Sequence, residues 1–148
     1  MKESDWSYLN SFMPDMKKAR RLAPFLDLSV QPDAANQSPP LFANVDPVLM
    51  TAGMMRPGKK LQCYQSLAAS LKAIGHDRWN LVVAGDGPER DTIANLLSFI
   101  PAERLKLLGN VEHQTMFGLM DRSDIFVWPG IREPIGMGYL EAQSRGAP

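Results

Sequence analysis

Apolar residues from position 48 onward fall into short runs that end at turns containing glycine or proline. Largely apolar runs of this length are typical of strands that are buried on both faces of a sheet. We predict four strands, at Val48–Ala52, Asn80–Ala84, Leu105–Leu108 and Asp124–Trp128.

Between these runs, apolar residues recur every three or four positions, which is the spacing of an amphipathic helix. Pro88 suits the first turn of a helix, and Gly75 and Gly146 follow two of the segments as stop signals. We predict helices at Leu61–Ile74, from about Pro88 through the apolar positions Ile93, Leu96, Leu97 and Ile100, at Gln114–Arg122, and at Ile135–Arg145.

Strands that alternate with helices pair in parallel through right-handed crossovers. The pattern therefore predicts an α/β, Rossmann-like fold, with a parallel sheet of about four strands and flanking helices. Ligands of such sheets bind beyond the carboxyl ends of the strands. Three segments should gather there: the turn Gly53–Lys60, the turn Gly85–Pro88 and the loop Pro129–Gly138.

The first 45 residues differ from the rest because they are rich in proline and polar residues. We interpret residues 1–45 as an arm or interdomain linker with one short helix near Asp15–Leu22, and residues 46–148 as the folded domain. The arm carries a basic cluster, Lys17, Lys18, Arg20 and Arg21. No aromatic residues interleave with it, so we favour a solvated helix face over a nucleic-acid contact.

Composition narrows the class of protein. The 148 residues are 45% hydrophobic and 22% charged, with a formal net charge of zero. These values are typical of a soluble globular domain and argue against broad electrostatic binding of nucleic acid. The single cysteine, Cys63, excludes an internal disulfide, and no apolar run is long enough to span a membrane or serve as a secretion signal. A cytoplasmic location is the default expectation.

Candidate chemistry concentrates between Glu133 and Glu141. Gly136 and Gly138 leave the backbone uncovered at a helix start, where free N–H groups can meet phosphate or sugar oxygens. Glu141 lies about one turn into that helix, and its side chain leans back towards the same end. Glu133 flanks the site in the preceding loop. The alternative is that both glutamates are ordinary exposed residues and that the glycines only permit tight packing.

The turn after the first strand carries Arg56, Lys59 and Lys60. These cations could neutralise a diphosphate, although a solvated turn has the same composition. Gly85-Asp86-Gly87 lacks the third glycine of a dinucleotide fingerprint, so we interpret it as a strand-to-helix turn. The two histidines, His76 and His113, stand apart from any ligand cluster in the sequence. No Asp-x-Asp pair is present, and we predict no metal and no cofactor.

Several segments, taken in order, resemble the C-terminal half of family 4 glycosyltransferases, which are retaining enzymes with the GT-B fold. V-V-A-G-D-G-P-E-R (82–90), L-L-G-N-V (107–111), S-D-I-F-V-W-P (123–129) and R-E-P-I-G-M-G-Y-L-E-A (132–142) are similar to successive signatures of that family. The last contains the family's E-x7-E motif, with glutamates at 133 and 141. The match covers roughly residues 48–148.

The resemblance implies a role for each site residue. Glu141 would accept hydrogen bonds from the ribose of a nucleotide-diphosphate-sugar donor, and Glu133, the implied catalytic residue, would bind the donor sugar. Arg56 and Lys60, with Lys59 as the alternative, would stabilise the charge that grows on the diphosphate. The backbone of Ile135, Gly136, Met137 and Gly138 would hold sugar and diphosphate.

The sequence departs from the family at Met54, where the family often has arginine, and at Ile135, where it has an aromatic residue. The family's N-terminal acceptor domain has no counterpart here, and the family normally continues past R-G-A-P (145–148). We therefore expect a donor-binding part of a hexosyltransferase, incomplete at both ends and inactive alone. A non-catalytic nucleotide-binding remnant is the alternative, and the E-x7-E spacing disfavours a nucleotide-sugar epimerase.

Overall fold

A computed structural model describes residues 39–75, 78–128, 130–131 and 136–148. The expected helix near Asp15–Leu22 and its basic cluster lie outside these residues. The described elements are β1 (Val48–Ala52), α1 (Lys59–Ile74), β2 (Asn80–Ala84), α2 (Arg90–Leu96), a 3-10 turn (Ala102–Arg104), β3 (Leu105–Gly109), α3 (His113–Met120), β4 (Ile125–Phe126) and α4 (Met137–Ser144).

The four strands form one parallel sheet in the order β3-β2-β1-β4. β1 pairs with β2 from Val48 opposite Asn80 to Ala52 opposite Ala84. Strand order reverses at β1, whose two neighbours are reached by crossovers that run in opposite directions. Right-handed crossovers therefore place α1 and α2 on one face and α3 on the other. The predicted α/β, Rossmann-like fold is confirmed.

The strand bounds follow from burial. All five residues of β2 are buried, since β2 lies inside the sheet between β1 and β3. β4 is shorter than predicted: the run Asp124–Trp128 forms ladder pairs only at Ile125 and Phe126. The apolar run continues past the end of β4 because Trp128 packs its side chain against the end of β1. Trp128 does not pair with β1 in the sheet.

Helix α1 places Cys63, Tyr64, Leu67, Ala68 and Leu71 on its buried face, as their spacing predicts. α2 begins at Arg90, two residues after Pro88, and buries Ile93. α3 begins at His113, one residue before its predicted start, and ends two residues before its predicted end, whereas α4 is shorter than predicted at both ends. No helix in the described parts of the chain is long and apolar enough to cross a membrane.

The segment that precedes β1 is tied to the amino end of the sheet. Phe42 is buried in the core, and the side-chain amides of Asn44 and Asn80 bond each other reciprocally at 3.0 and 2.6 Å. Arg104 joins this corner through Asp46 at 2.8 Å and donates to the Trp79 carbonyl oxygen at 3.1 Å. Asn80 is fully buried, so these bonds satisfy its amide.

Thr51, in the middle of β1, is fully buried, and its hydroxyl has no hydrogen-bond partner. A buried hydroxyl without a partner costs about 1–3 kcal/mol, and valine has nearly the same shape. We therefore expect Thr51→Val to raise the free energy of unfolding by about 1 kcal/mol. Urea denaturation measures this change. Thr51→Ser, which keeps the hydroxyl and removes a methyl group, is the control and should destabilise the domain.

Candidate functional site

A crevice of about 630 Å³ opens at the carboxyl edge of the sheet, which is where ligands bind in this architecture. It is bounded by the ends of β1 and β2, the loop after β3, α3 and the start of α4. Its lining residues are Ala52, Gly53, Met54, Ala84, Gly85, Asp86, Gly87, Asn110, Val111, Met116, Met120, Gly138 and Glu141. The expected gathering of the Gly53 and Gly85 turns is confirmed, and of the loop Pro129–Gly138 the crevice lining includes Gly138.

Close backbone packing forms one side of the crevice. The Gly53 N–H donates to the Ala84 carbonyl at 3.0 Å, and the Gly85 N–H donates to the Gly109 carbonyl at 2.7 Å. A Cβ atom on Gly85 would lie 2.0 Å from the Gly53 oxygen, and one on Gly87 would lie 2.3 Å from the Met55 oxygen. The interpretation of this segment as a strand-to-helix turn is correct, but the same turn also lines the crevice.

Asp86 fixes the shape of that turn. Its carboxylate accepts hydrogen bonds from the Gly87 N–H at 2.7 Å and from Arg90 at 3.1 Å. Arg90 and Asp86 are about half exposed, so their ion pair contributes little to stability. Asp86 lines the crevice, and both of its carboxylate oxygens already accept bonds from the protein.

Glu141 reaches the crevice from α4, as its position one turn into a helix predicts. Its side chain is 25% exposed, and its Oε1 lies 3.7 Å from Nε2 of His113, the first residue of α3. The His113 ring also packs on Phe117, with 4.3 Å between centroids. His113 is isolated in the sequence but not in the fold, because α3 and α4 pack side by side.

The start of α4 is built as the glycine pattern predicts. Gly136 adopts a left-handed conformation with φ near 70°, and the helix begins at Met137, which is exposed. Gly138 lines the crevice, and a Cβ atom there would meet the Phe126 ring at 3.4 Å. Glu133 and Ile135 lie outside the described residues, so the geometry of the E-x7-E motif is given for its second glutamate.

The cations of the first turn occupy different positions. Arg56 and Lys59 are exposed, and neither they nor Lys60 are among the residues that line the crevice. Lys60 is half-buried, and its Nζ lies 5.1 Å from the centroid of the Trp128 ring. Burial raises the pKa of the neighbouring Tyr64 phenol, with a smaller contribution from Cys63. The neutral phenol donates a hydrogen bond to the Gly53 oxygen at 2.9 Å.

Several lining residues were not singled out from the sequence. Val111, Met116 and Met120 give the crevice an apolar surface, and Asn110 adds an amide. Met116 and Met120 lie one helical turn apart, so their spacing is equally that of core residues. The crevice thus combines apolar surface, backbone at four glycines and the acidic residues Asp86 and Glu141, which suits a ligand with a planar apolar group and several hydroxyl donors.

The family model described as "Glycosyl transferases group 1" matches residues 34–148. The chain therefore belongs to this family of glycosyltransferases, and the resemblance found in its motifs is confirmed. Its structural neighbours are GT-B glycosyltransferases.

Two curated relatives carry glycosyltransferase names. The gpi3 subunit of phosphatidylinositol N-acetylglucosaminyltransferase from Schizosaccharomyces pombe is 31% identical over 72 residues, which is 48% of this chain and 16% of that protein. Alpha-D-kanosaminyltransferase from Streptomyces kanamyceticus is 26% identical over 103 residues, which is 69% of this chain and 26% of that protein. The chain spans about a quarter or less of each relative.

Solved structures support the fold. A TarM variant from S. aureus, in complex with fondaparinux, alpha-GlcNAc-glycerol and UDP, has a TM-score of 0.66 and 17% identity, covering 100% of this chain and 28% of that one. Anabaena HepE, in complex with UDP and glucose, has a TM-score of 0.54 and 19% identity, covering 100% of this chain and 33% of that one. At these identities the likeness is one of fold.

Proposed function

We propose that this chain binds the nucleotide-diphosphate-sugar donor of a retaining glycosyltransferase that acts in the cytoplasm. In this proposal the donor is the substrate, and no metal or cofactor takes part. The acceptor is bound by a separate N-terminal domain, so the chain binds donor but does not transfer sugar alone.

The placement of Glu141 carries the proposal. Glu141 borders a crevice that glycine backbone also lines, at the point of the sheet where strand order reverses. A carboxylate accepts hydrogen bonds from paired hydroxyls, as a ribose offers, and uncovered backbone lets a diphosphate approach closely. The UDP-containing complexes of TarM and HepE share this fold and are consistent with a nucleotide ligand.

The remaining roles follow the family resemblance. Glu133 binds the donor sugar near the reacting carbon. The backbone from Ile135 through Met137 to Gly138 holds sugar and diphosphate. Arg56 and Lys60 stabilise the charge that develops on the leaving diphosphate, an interaction that is strongest in the transition state. Of the two adjacent lysines, the half-buried Lys60 is favoured over the exposed Lys59.

Titration calorimetry of the full chain with a panel of nucleoside diphosphates tests donor binding. We expect one diphosphate to bind with a dissociation constant in the micromolar to millimolar range, as substrates commonly do. Absence of heat with every member would refute donor binding. Sugar transfer by the chain alone would refute the claim that it needs an acceptor domain. Binding without transfer, even after a family acceptor domain is supplied, would favour the non-catalytic remnant.

Glu141→Ala should weaken nucleoside diphosphate binding by about 1–3 kcal/mol, because ribose hydroxyls would lose a charged acceptor. The same calorimetric titration measures this loss. Glu103→Ala, which removes an exposed carboxylate outside the crevice, is the matched control and should bind like the wild type. Equal affinities for wild type and Glu141→Ala would reject the ribose role.

A further inference from the structure

Trp128, just beyond β4, is the point at which several parts of the site meet. The residue is 9% exposed. A Cβ atom on Gly53 would lie 2.8 Å from the ring, so the indole lies directly against the end of β1. On another side the Tyr64 ring of α1 contacts it edge-on, with 5.4 Å between centroids and an interplanar angle of 77°.

The backbone of Trp128 is held as well. Its carbonyl oxygen accepts hydrogen bonds from the Gly130 N–H at 2.8 Å and from the Tyr139 hydroxyl of α4. Tyr64 is itself anchored by its bond to the Gly53 oxygen. The indole therefore has one orientation, fixed by β1, α1 and α4 together.

Lys60 packs on this fixed ring. Its Nζ lies 5.1 Å from the indole centroid, within the range of a cation–π interaction, for which tryptophan is the best partner. A lysine stem has four rotatable bonds, and restricting it costs conformational entropy when a ligand is bound. A ring that already restricts the stem removes part of that cost before the ligand arrives.

We propose that Trp128 is a positioning residue that holds the Lys60 ammonium group against an indole packed on Gly53, so that it can meet the diphosphate of a nucleotide ligand. This inference rests on the proposed function, because it assumes that a diphosphate binds in the crevice that Gly53 lines. Trp128 then takes part in selecting phosphorylated ligands. Removal of the Trp128 side chain weakens diphosphate binding without weakening contacts to the nucleoside.

The test is a double-mutant cycle with Trp128→Leu, Lys60→Met and the double variant, in the full chain. Calorimetry measures the affinity of each for the nucleoside diphosphate that the wild type binds best and for the matching nucleoside. We expect Trp128→Leu to weaken diphosphate binding roughly 3- to 10-fold and to change nucleoside binding less than about 2-fold. In the Lys60→Met background, Trp128→Leu should have no further effect.

Trp128→Phe keeps an aromatic ring and leaves a smaller cavity than Trp128→Leu does. It should recover most of the diphosphate affinity. This variant keeps the test valid if Trp128→Leu misfolds. Equal losses for diphosphate and nucleoside, or additive effects of the two substitutions, would overturn the positioning role while leaving donor binding intact. Failure of the wild type to bind any nucleoside diphosphate would overturn the proposed function and this inference with it.

Discussion

Gly85→Ala is expected to remove much of the stability of this domain. The glycine follows β2 with φ near 134°, a conformation that side-chain-bearing residues rarely adopt, and a Cβ atom would lie 2.0 Å from the Gly53 carbonyl oxygen. Backbone strain of this kind costs about 1–3 kcal/mol. The overlap adds to that cost, because the carbonyl oxygen belongs to the backbone of Gly53. The N–H of the same residue is bonded to the Ala84 carbonyl oxygen, so Gly53 cannot move away freely.

The total is roughly 3 kcal/mol or more, set against the 5–15 kcal/mol typical of a whole domain. Urea denaturation followed by circular dichroism measures the loss. Gly118→Ala is the matched control: Gly118 lies inside α3, where a Cβ atom would meet nothing within 4 Å. Alanine there should stabilise the domain by about 0.5–1 kcal/mol. Equal stability of Gly85→Ala and wild type would contradict the close approach of β1 and β2 at this edge.

The same close approach links stability to the site. Gly85 and Gly87 let the turns after β1 and β2 touch, and together with Gly53 they line one side of the crevice. A variant of Gly85 that still folds must move the Gly53 carbonyl oxygen, which also accepts a hydrogen bond from the Tyr64 hydroxyl. Altered nucleotide binding should therefore accompany lower stability.

The sequence was sufficient to predict the sheet where strands are buried on both sides. The bounds of β1 and β2 match the predicted runs because eight of their ten residues are apolar and eight are buried. β4 was predicted too long because the apolar residue Trp128 packs against Gly53 and not in the ladder. A hydrophobic pattern records burial but does not distinguish packing in a sheet from packing beside it.

Of the candidate site, the sequence predicted the residues whose positions depend on local geometry. Gly138 and Glu141 follow from the geometry of one helix start. The contacts of His113 with Glu141, of Trp128 with Lys60 and of Gly85 with Gly53 were not predictable in this way. Each joins residues on different elements, and its existence depends on strand order and on helix packing, which spacing along the chain does not encode.

Asp121→Ala should destabilise the domain by about 3–5 kcal/mol, because it leaves a buried guanidinium without its partner. Asp121, at the end of α3, accepts two hydrogen bonds from Arg145, at the end of α4, one of them from Nε at 2.7 Å. The two side chains are only 10% and 9% exposed. The bond to Asp121 raises the pKa of Arg145 against the opposing effect of burial, so the guanidinium stays charged.

Chemical denaturation of Asp121→Ala, of Arg90→Ala and of the double variant Asp121→Leu/Arg145→Met tests this. Arg90→Ala breaks the half-exposed pair with Asp86 and should cost no more than about 1 kcal/mol. The double variant removes both charges and should recover much of the loss, since an apolar pair avoids the desolvation penalty. A double variant as unstable as Asp121→Ala would mean that packing of Arg145 on Phe117, at 5.3 Å, matters more than its charge.

The same ion pair bears on ligand binding, because Arg145 lies one helical turn after Glu141 and fixes α4 against α3. Loss of the pair should let the Glu141 carboxylate move away from the crevice. We therefore expect folded Asp121→Ala, measured well below its unfolding transition, to bind a nucleoside diphosphate more weakly than wild type, whereas Arg90→Ala keeps α4 in place. Unchanged affinity would mean that contacts near Gly136, and not the far end of α4, hold Glu141 at the crevice.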